Sequence, residues 1–107
     1  MAAMSLRPPR RPDAGFPLRA GVDELAVEIM AEKASALERA GRKAEQSLAT
    51  LAAAAREDPA RAPLVRTAAD ALYAYLIQRE LMGFRRHADV FERLRPPPEV
   101  VAKLGAR

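Results

Sequence analysis

The chain has 107 residues, enough for one small domain, and carries a formal net charge of +4 at pH 7. It contains no cysteine, which excludes disulfides, thiolate metal sites and cysteine nucleophiles. No apolar run approaches the ~20 residues that cross a bilayer, and the N-terminus lacks the apolar core of a secretory signal. We therefore expect a cytoplasmic protein without a membrane partner. Abundant arginine and alanine with little lysine favour a bacterial, GC-rich genome.

Residues 1–20 are predicted to form a disordered, basic, proline-rich tail, and residues 21–107 the folded domain. Proline interrupts helical and strand hydrogen bonding, and few apolar side chains are present to offset the entropy of ordering. The tail carries four arginines against one acid, Asp13, for a net charge of +3, so most of the basicity lies there. This tail would be either a solvated terminus, as termini usually are, or a segment that binds nucleic acid or an acidic partner.

The first helix is predicted from about Val22 to Arg56, with Gly21 as its cap. Its apolar stripe begins at Leu25 and Ile29 and continues to Ala55 in steps of three and four. Small residues at several stripe positions, such as Gly41 and Ala44, let a second helix come close. At ~1.5 Å per residue this helix would be about 50 Å long, which favours a hairpin over a compact bundle.

A second helix is predicted from Pro59 or Pro63 to about Leu94. Asp58 and Pro59 have the residue types of an N-cap and a first helical position, and the short loop before them makes the two helices antiparallel. Gly83 falls inside this helix, either as a bend or as a point where another backbone approaches.

Three prolines, Pro96 to Pro98, end the second helix. A last short helix, Glu99 to Leu104, would stop at Gly105. No segment alternates as a strand does. The expected fold is therefore all-α, a long antiparallel helical hairpin with a short C-terminal helix.

Two segments carry a family resemblance. The run Gln-Arg-Glu-Leu-Met-Gly-Phe-Arg at 78–85 and the run Pro-Glu-Val-Val-Ala-Lys-Leu-Gly at 98–105 resemble a family of short, uncharacterised bacterial all-helical proteins. The similarity extends over roughly residues 22–105. It implies a helical hairpin of unknown function and supplies no catalytic residue.

The residues for common chemistries are missing, so we expect no catalytic, metal or cofactor site and no enzyme. The sequence shows no serine and carboxylate that would form a catalytic triad with the single histidine, His87. The glycines do not form a phosphate-binding loop. Glu24, Glu28 and Glu32 are spaced by four, but a di-metal site needs Glu-x-x-His motifs, and Phe84 stands three residues before His87. We interpret the glutamates as an acidic face that is solvated or ion-paired, and His87 as a hydrogen-bonded packing residue.

Two arginines, Arg79 and Arg86, lie on the apolar seam of the second helix or at its edge. In an antiparallel hairpin Arg79 comes within reach of Glu38, and Arg86 within reach of Glu32. We predict these as structural ion pairs that fix the register, because unpaired seam charges would be costly. This pairing is favoured over contact of the same arginines with nucleic acid.

A second apolar stripe on the second helix consists of Ile77, Leu81 and Phe84. Because two helices bury little surface, we expect these residues to lie near the interface of a homodimer that packs as a four-helix bundle. The expected function is a non-enzymatic protein–protein interaction or structural module with an unknown protein partner. The alternative is a small nucleic-acid-associated regulator that uses the basic N-terminal tail.

Overall fold

The regular structure of this chain is helical. The computed structural model describes residues 12–106, with the side chains of residue 21 and residues 23–106. Within that range lie α1 (Pro12–Ala53), α2 (Arg61–Leu81), α3 (Ala88–Leu94) and α4 (Pro98–Val101), and no strand. The all-α prediction is confirmed, with α1 and α2 packed together as the predicted hairpin.

Helix α1 begins well before the predicted Val22. Its first residue is Pro12, and proline suits the first helical position because no N–H is required there. The boundary between tail and helix therefore differs from the predicted one. Residues 1–11 lie outside the described residues, and their disorder stays a prediction. Contacts divide the chain into one unit ending at Lys33 and a second beginning at Ala34. We call residues 21–33 the arm and residues 34–106 the body.

The apolar core lies within the body. Its buried members are Ala44, Leu48, Leu51, Val65, Ala68, Ala69, Ala71, Leu72, Tyr75, Val90 and Val100. Alanine is frequent among them, so backbones rather than long side chains set the helix spacing. A Cβ atom on Gly41 would lie 3.1 Å from Cε1 of Tyr75, so glycine leaves room for that ring. The predicted seam of small residues is therefore confirmed in this part of α1.

The turn between α1 and α2 is organised by Asp58. Its carboxylate accepts a hydrogen bond from the Ala60 N–H at 2.8 Å, and its carbonyl accepts one from the Arg61 N–H at 2.9 Å. Helix α2 begins at Arg61, between the two predicted starts. Asp58 thus shapes the turn before the helix instead of capping its first residue.

The predicted second helix is not continuous to Leu94, because it is broken at Gly83. The Phe84 N–H donates to the Arg79 carbonyl at 2.9 Å, and the Gly83 N–H donates to the Glu80 carbonyl at 3.0 Å. These two bonds form a Schellman motif, and its left-handed position is Gly83, with φ +99°. Glycine adopts that backbone conformation without a steric penalty, so the chain turns here and does not merely bend.

The C-terminal segment is fastened to the start of α2. Val100 of α4 is fully buried. The guanidinium of Arg61 donates two hydrogen bonds to the Glu99 carboxylate, from Nη2 at 2.6 Å and from Nε at 3.3 Å. This hydrogen bonding lowers the pKa of Glu99 and raises that of Arg61. The predicted short final helix is confirmed, and it packs on α2.

Replacing Gly83 with alanine should destabilise the body, since a Cβ atom at positive φ costs about 1–2 kcal/mol. The matched control is Gly21→Ala, at an exposed helical position where a new Cβ meets no atom within 4 Å. That change should leave stability equal or raise it, because alanine favours helix over glycine. Urea unfolding followed by circular dichroism measures both. Equal midpoints for Gly83→Ala and the wild-type protein would contradict the role given to Gly83.

The Arg61–Glu99 ion pair predicts that the stability of the fold falls at acidic pH. The folded-state pKa of Glu99 lies below its ordinary value of 4.5. The stabilisation is therefore complete above that ordinary value and is lost as the pH falls through the lower folded-state pKa. Glu99→Gln should lower the midpoint of thermal unfolding at neutral pH. Below neutral pH, the midpoint of this variant should depend less on pH than the midpoint of the wild-type protein. Glu92→Gln, at an exposed position outside the ion pairs of the body, is the control and should keep the wild-type profile.

Candidate functional site

An exposed apolar face lies at the C-terminal end of α2. Ile77 and Leu81 are one helical turn apart, so they lie on the same side of α2. Phe84 follows at the turn that ends the helix. The exposed fractions of the three side chains are 37%, 67% and 47%. We call Ile77, Leu81 and Phe84 the α2 face; these are the residues that the sequence predicted for an interface.

A buried arginine holds the end of α2 in place. Arg79 is only 8% exposed. Its Nε donates to Nδ1 of His87 at 3.1 Å, and its Nη2 donates to the Arg86 carbonyl at 3.0 Å and to Oδ1 of Asp89 at 3.2 Å. These acceptors belong to the loop after α2 and to the first turn of α3. One guanidinium therefore connects three successive pieces of the chain.

The same guanidinium also orients Phe84. Its Cζ lies 4.8 Å from the centroid of the Phe84 ring and 5.9 Å from that of Tyr75. Both distances are within the range of cation–π attraction. A Schellman motif usually brings an apolar pair together at these two positions, and here Arg79 and Phe84 take that place. One side of the Phe84 ring is thus fixed while part of the ring remains exposed.

His87 is hydrogen-bonded through both ring nitrogens. Because Nδ1 accepts from Arg79, the proton of the neutral ring belongs on Nε2. Nε2 lies 3.1 Å from Oε2 of Glu80 and donates to it. The prediction that His87 is a hydrogen-bonded packing residue is confirmed.

The partner of Arg79 differs from the predicted Glu38. Arg79 forms its ion pair with Asp89, because the turn at Gly83 brings α3 back to α2. Within the body no ion pair joins Arg79 to Glu38. The side chain of Arg86 is exposed, and its carbonyl is the group that Arg79 uses. Glu32 belongs to the arm and Arg86 to the body, so that predicted pair stays a prediction.

A further arginine contact was not visible in the sequence. Arg93 of α3 donates from Nη1 to Oε2 of Glu45 at 2.7 Å and from Nη2 to the Tyr75 hydroxyl at 3.2 Å. It therefore links α3 to both long helices within the body. A continuous second helix would have pointed Arg93 elsewhere. The available signal was Gly83, since glycine after an apolar pattern commonly ends a helix.

Three depressions lined by residues of the body are open to solvent. The open depression beside Tyr73 is lined by Arg66, Asp70 and Gly105, and Arg66 closes one side by donating to the Ala106 carbonyl at 3.0 Å. Among the described side chains, those of residue 21 and residues 23–106, no group of three or more histidine, aspartate or glutamate residues is placed to hold a metal ion. No helix in that range combines the length and the apolar character needed to cross a membrane.

Comparison with known proteins gives one match. A family described as "Family of unknown function (DUF6665)" matches residues 4–107. No curated protein and no solved structure matches the chain. The matched range includes both segments quoted above for their resemblance to an uncharacterised family. Nothing in the match bears on a bacterial origin, which stays a prediction.

Removing the Arg79 guanidinium should loosen the end of α2. Arg79→Lys keeps the charge but loses the fork that reaches His87, Arg86 and Asp89 together, so we expect a loss of about 1–3 kcal/mol in the free energy of unfolding. Arg85→Lys, at an exposed position outside the ion pairs of the body, is the matched control and should change stability by less than about 0.5 kcal/mol. Chemical denaturation measures both, and equal losses would contradict the role given to Arg79.

Proposed function

The chain belongs to this family of unknown function, and we propose that it acts as a non-enzymatic protein–protein interaction module that self-associates as a homodimer. The observation that carries the proposal is the α2 face. Large apolar side chains are exposed near the end of this helix: Ile77 and Leu81 share one side of α2, and Phe84 follows at the turn that ends it. The expected compartment is the cytoplasm.

The way the α2 face is held supports an interaction role. Binding costs less when side chains and loops are already ordered. Phe84 is packed on the Arg79 guanidinium, and the turn before it is closed by two backbone hydrogen bonds. The face therefore offers a partner a surface whose shape does not have to be formed on binding.

The composition of the core supports self-association. Four of its eleven buried apolar residues are alanines, each of which buries little surface. Domains of this size gain only a small margin of stability from their own core. Covering Ile77, Leu81 and Phe84 with a second copy would add apolar burial that the single chain lacks.

The alternative is a nucleic-acid-associated regulator that uses the basic tail. Residues 1–11 lie outside the described residues, so this alternative stays a prediction. Within the body, Arg61, Arg79 and Arg93 each have a carboxylate partner. Arginines that are occupied in this way contribute less to a phosphate-binding surface, which favours the interaction module.

Light scattering at micromolar concentration tests the proposal. The wild-type mass should be about twice the 11.7 kDa of one chain. Leu81→Asp should return the mass to that of a single chain without loss of helical signal, because a charge on the α2 face opposes its burial. Val101→Asp changes an exposed apolar residue of α4 and should leave the dimer intact. A monomeric wild-type protein, or a dimer that survives Leu81→Asp, would overturn the proposal.

A further inference from the structure

The arm carries a second exposed apolar surface. Leu25 and Ile29 are 56% and 47% exposed. They lie about 40° apart around the helix axis. Glu28 lies about 60° from Leu25, and Glu32 lies about 60° from Ile29 in the same direction. The arm thus presents two aliphatic side chains with carboxylates along one border.

The charges of the arm are not balanced by its own sequence. Glu24, Glu28 and Glu32 are spaced by four, and like charges at that spacing destabilise a helix. The arm has four acids against one base, Lys33, for a net charge of −3. A basic partner would relieve this repulsion while covering Leu25 and Ile29.

The body carries the complementary surface. Arg85 and Arg86 follow the last residue of the α2 face directly, and both are exposed. Neither belongs to the ion pairs within residues 34–106. The body as a whole has twelve basic and nine acidic residues, for a net charge of +3. The α2 face is therefore apolar with a basic border, and the arm is apolar with an acidic one.

We infer that the arm of one copy lies on the α2 face of a second copy, with Leu25 and Ile29 against Ile77 and Leu81 and the arm carboxylates beside Arg85 and Arg86. The inference rests on the proposed self-association and names what covers the face. Each chain supplies one arm and one face, so the inference is a reciprocal exchange in which two copies make two equivalent contacts, as in a twofold dimer.

The lengths of the helices favour a second copy as the occupant. Helix α1 has 42 residues and α2 has 21, so α2 can pair with only about half of α1. The remaining half contains the arm and needs another surface for its apolar side. A second copy supplies that surface with the required charge, and no further kind of partner has to be assumed.

Mixing two full-length variants tests the inference. Ile29→Asp damages the arm and Leu81→Asp damages the face, so each alone should weaken dimerisation by about tenfold or more in sedimentation equilibrium. A dimer of one variant with the other keeps one undamaged arm on one undamaged face. The mixture should therefore associate more tightly than either variant does alone.

The outcomes separate this inference from the proposed function. If Ile29→Asp dimerises like the wild type while Leu81→Asp does not, the face binds something other than the arm, and the inference is overturned while the proposed function stands. If the wild-type protein is monomeric, the proposed function itself fails, and the inference falls with it. A mixture no tighter than its components also overturns the inference.

Cross-linking provides a second measurement, because the chain has no native cysteine. Ile29→Cys in one chain and Leu81→Cys in a chain of different tagged length should give a mixed disulfide dimer on mild oxidation. Thr50→Cys, at an exposed position of α1 in the body, is the control partner for Leu81→Cys and should give much less product. Equal yields from the two pairs would overturn the inference.

A charge exchange tests whether the acidic border of the arm pairs with the basic border of the α2 face. Glu28→Arg with Glu32→Arg should weaken the dimer, and adding Arg85→Glu with Arg86→Glu should restore it. If reversal of the two arginines instead abolishes retention on duplex DNA and leaves the dimer constant unchanged, the arginines serve nucleic acid and the inference is overturned.

Discussion

The Arg79 guanidinium is the constraint on which this end of the body depends. A charged group that is 8% exposed must find partners for its donors, since a buried cation without them is costly. Arg79 finds them in His87, the Arg86 carbonyl and Asp89, all of which come after the break at Gly83. The turn and the arginine therefore require each other: without the turn the acceptors would be out of reach, and without the arginine the loop would lose what holds it to α2.

Helical periodicity predicted much of the body correctly. It placed the small-residue seam in α1 and Arg79 at the seam of α2, and the structure has both. It did not predict the break at Gly83, because a repeat of three and four continues through Arg86 whether or not one residue adopts a positive φ. The predicted partner of Arg79 was wrong for the same reason. In an unbroken helix Asp89 would not return to Arg79, so Glu38 was taken as the partner.

Sequence reasoning named Ile77, Leu81 and Phe84 for an interface, which stays a prediction, but it did not predict how Phe84 is held. Spacing alone put Ile77, Leu81 and Phe84 together, whereas the packing of Phe84 on Arg79 depends on the turn. The arm shows the opposite error. Leu25 and Ile29 were taken as the beginning of the buried stripe, yet both are exposed. Apolar spacing predicts which residues share one side of a helix, but it does not predict whether another element covers that side.

The arginines of the body differ in whether they engage a carboxylate within it. Arg61, Arg79 and Arg93 each engage a carboxylate of the body, and Arg85 and Arg86 engage none there. In the arm, the spacing of Glu24, Glu28 and Glu32 by four weakens the part of α1 to which they belong, because like charges at that spacing repel. Anything that neutralises Glu28 and Glu32 and covers Leu25 and Ile29 therefore stabilises the arm as it binds. Under the arrangement inferred here, association and the helical state of the arm are one linked equilibrium, so the order of the arm should depend on protein concentration.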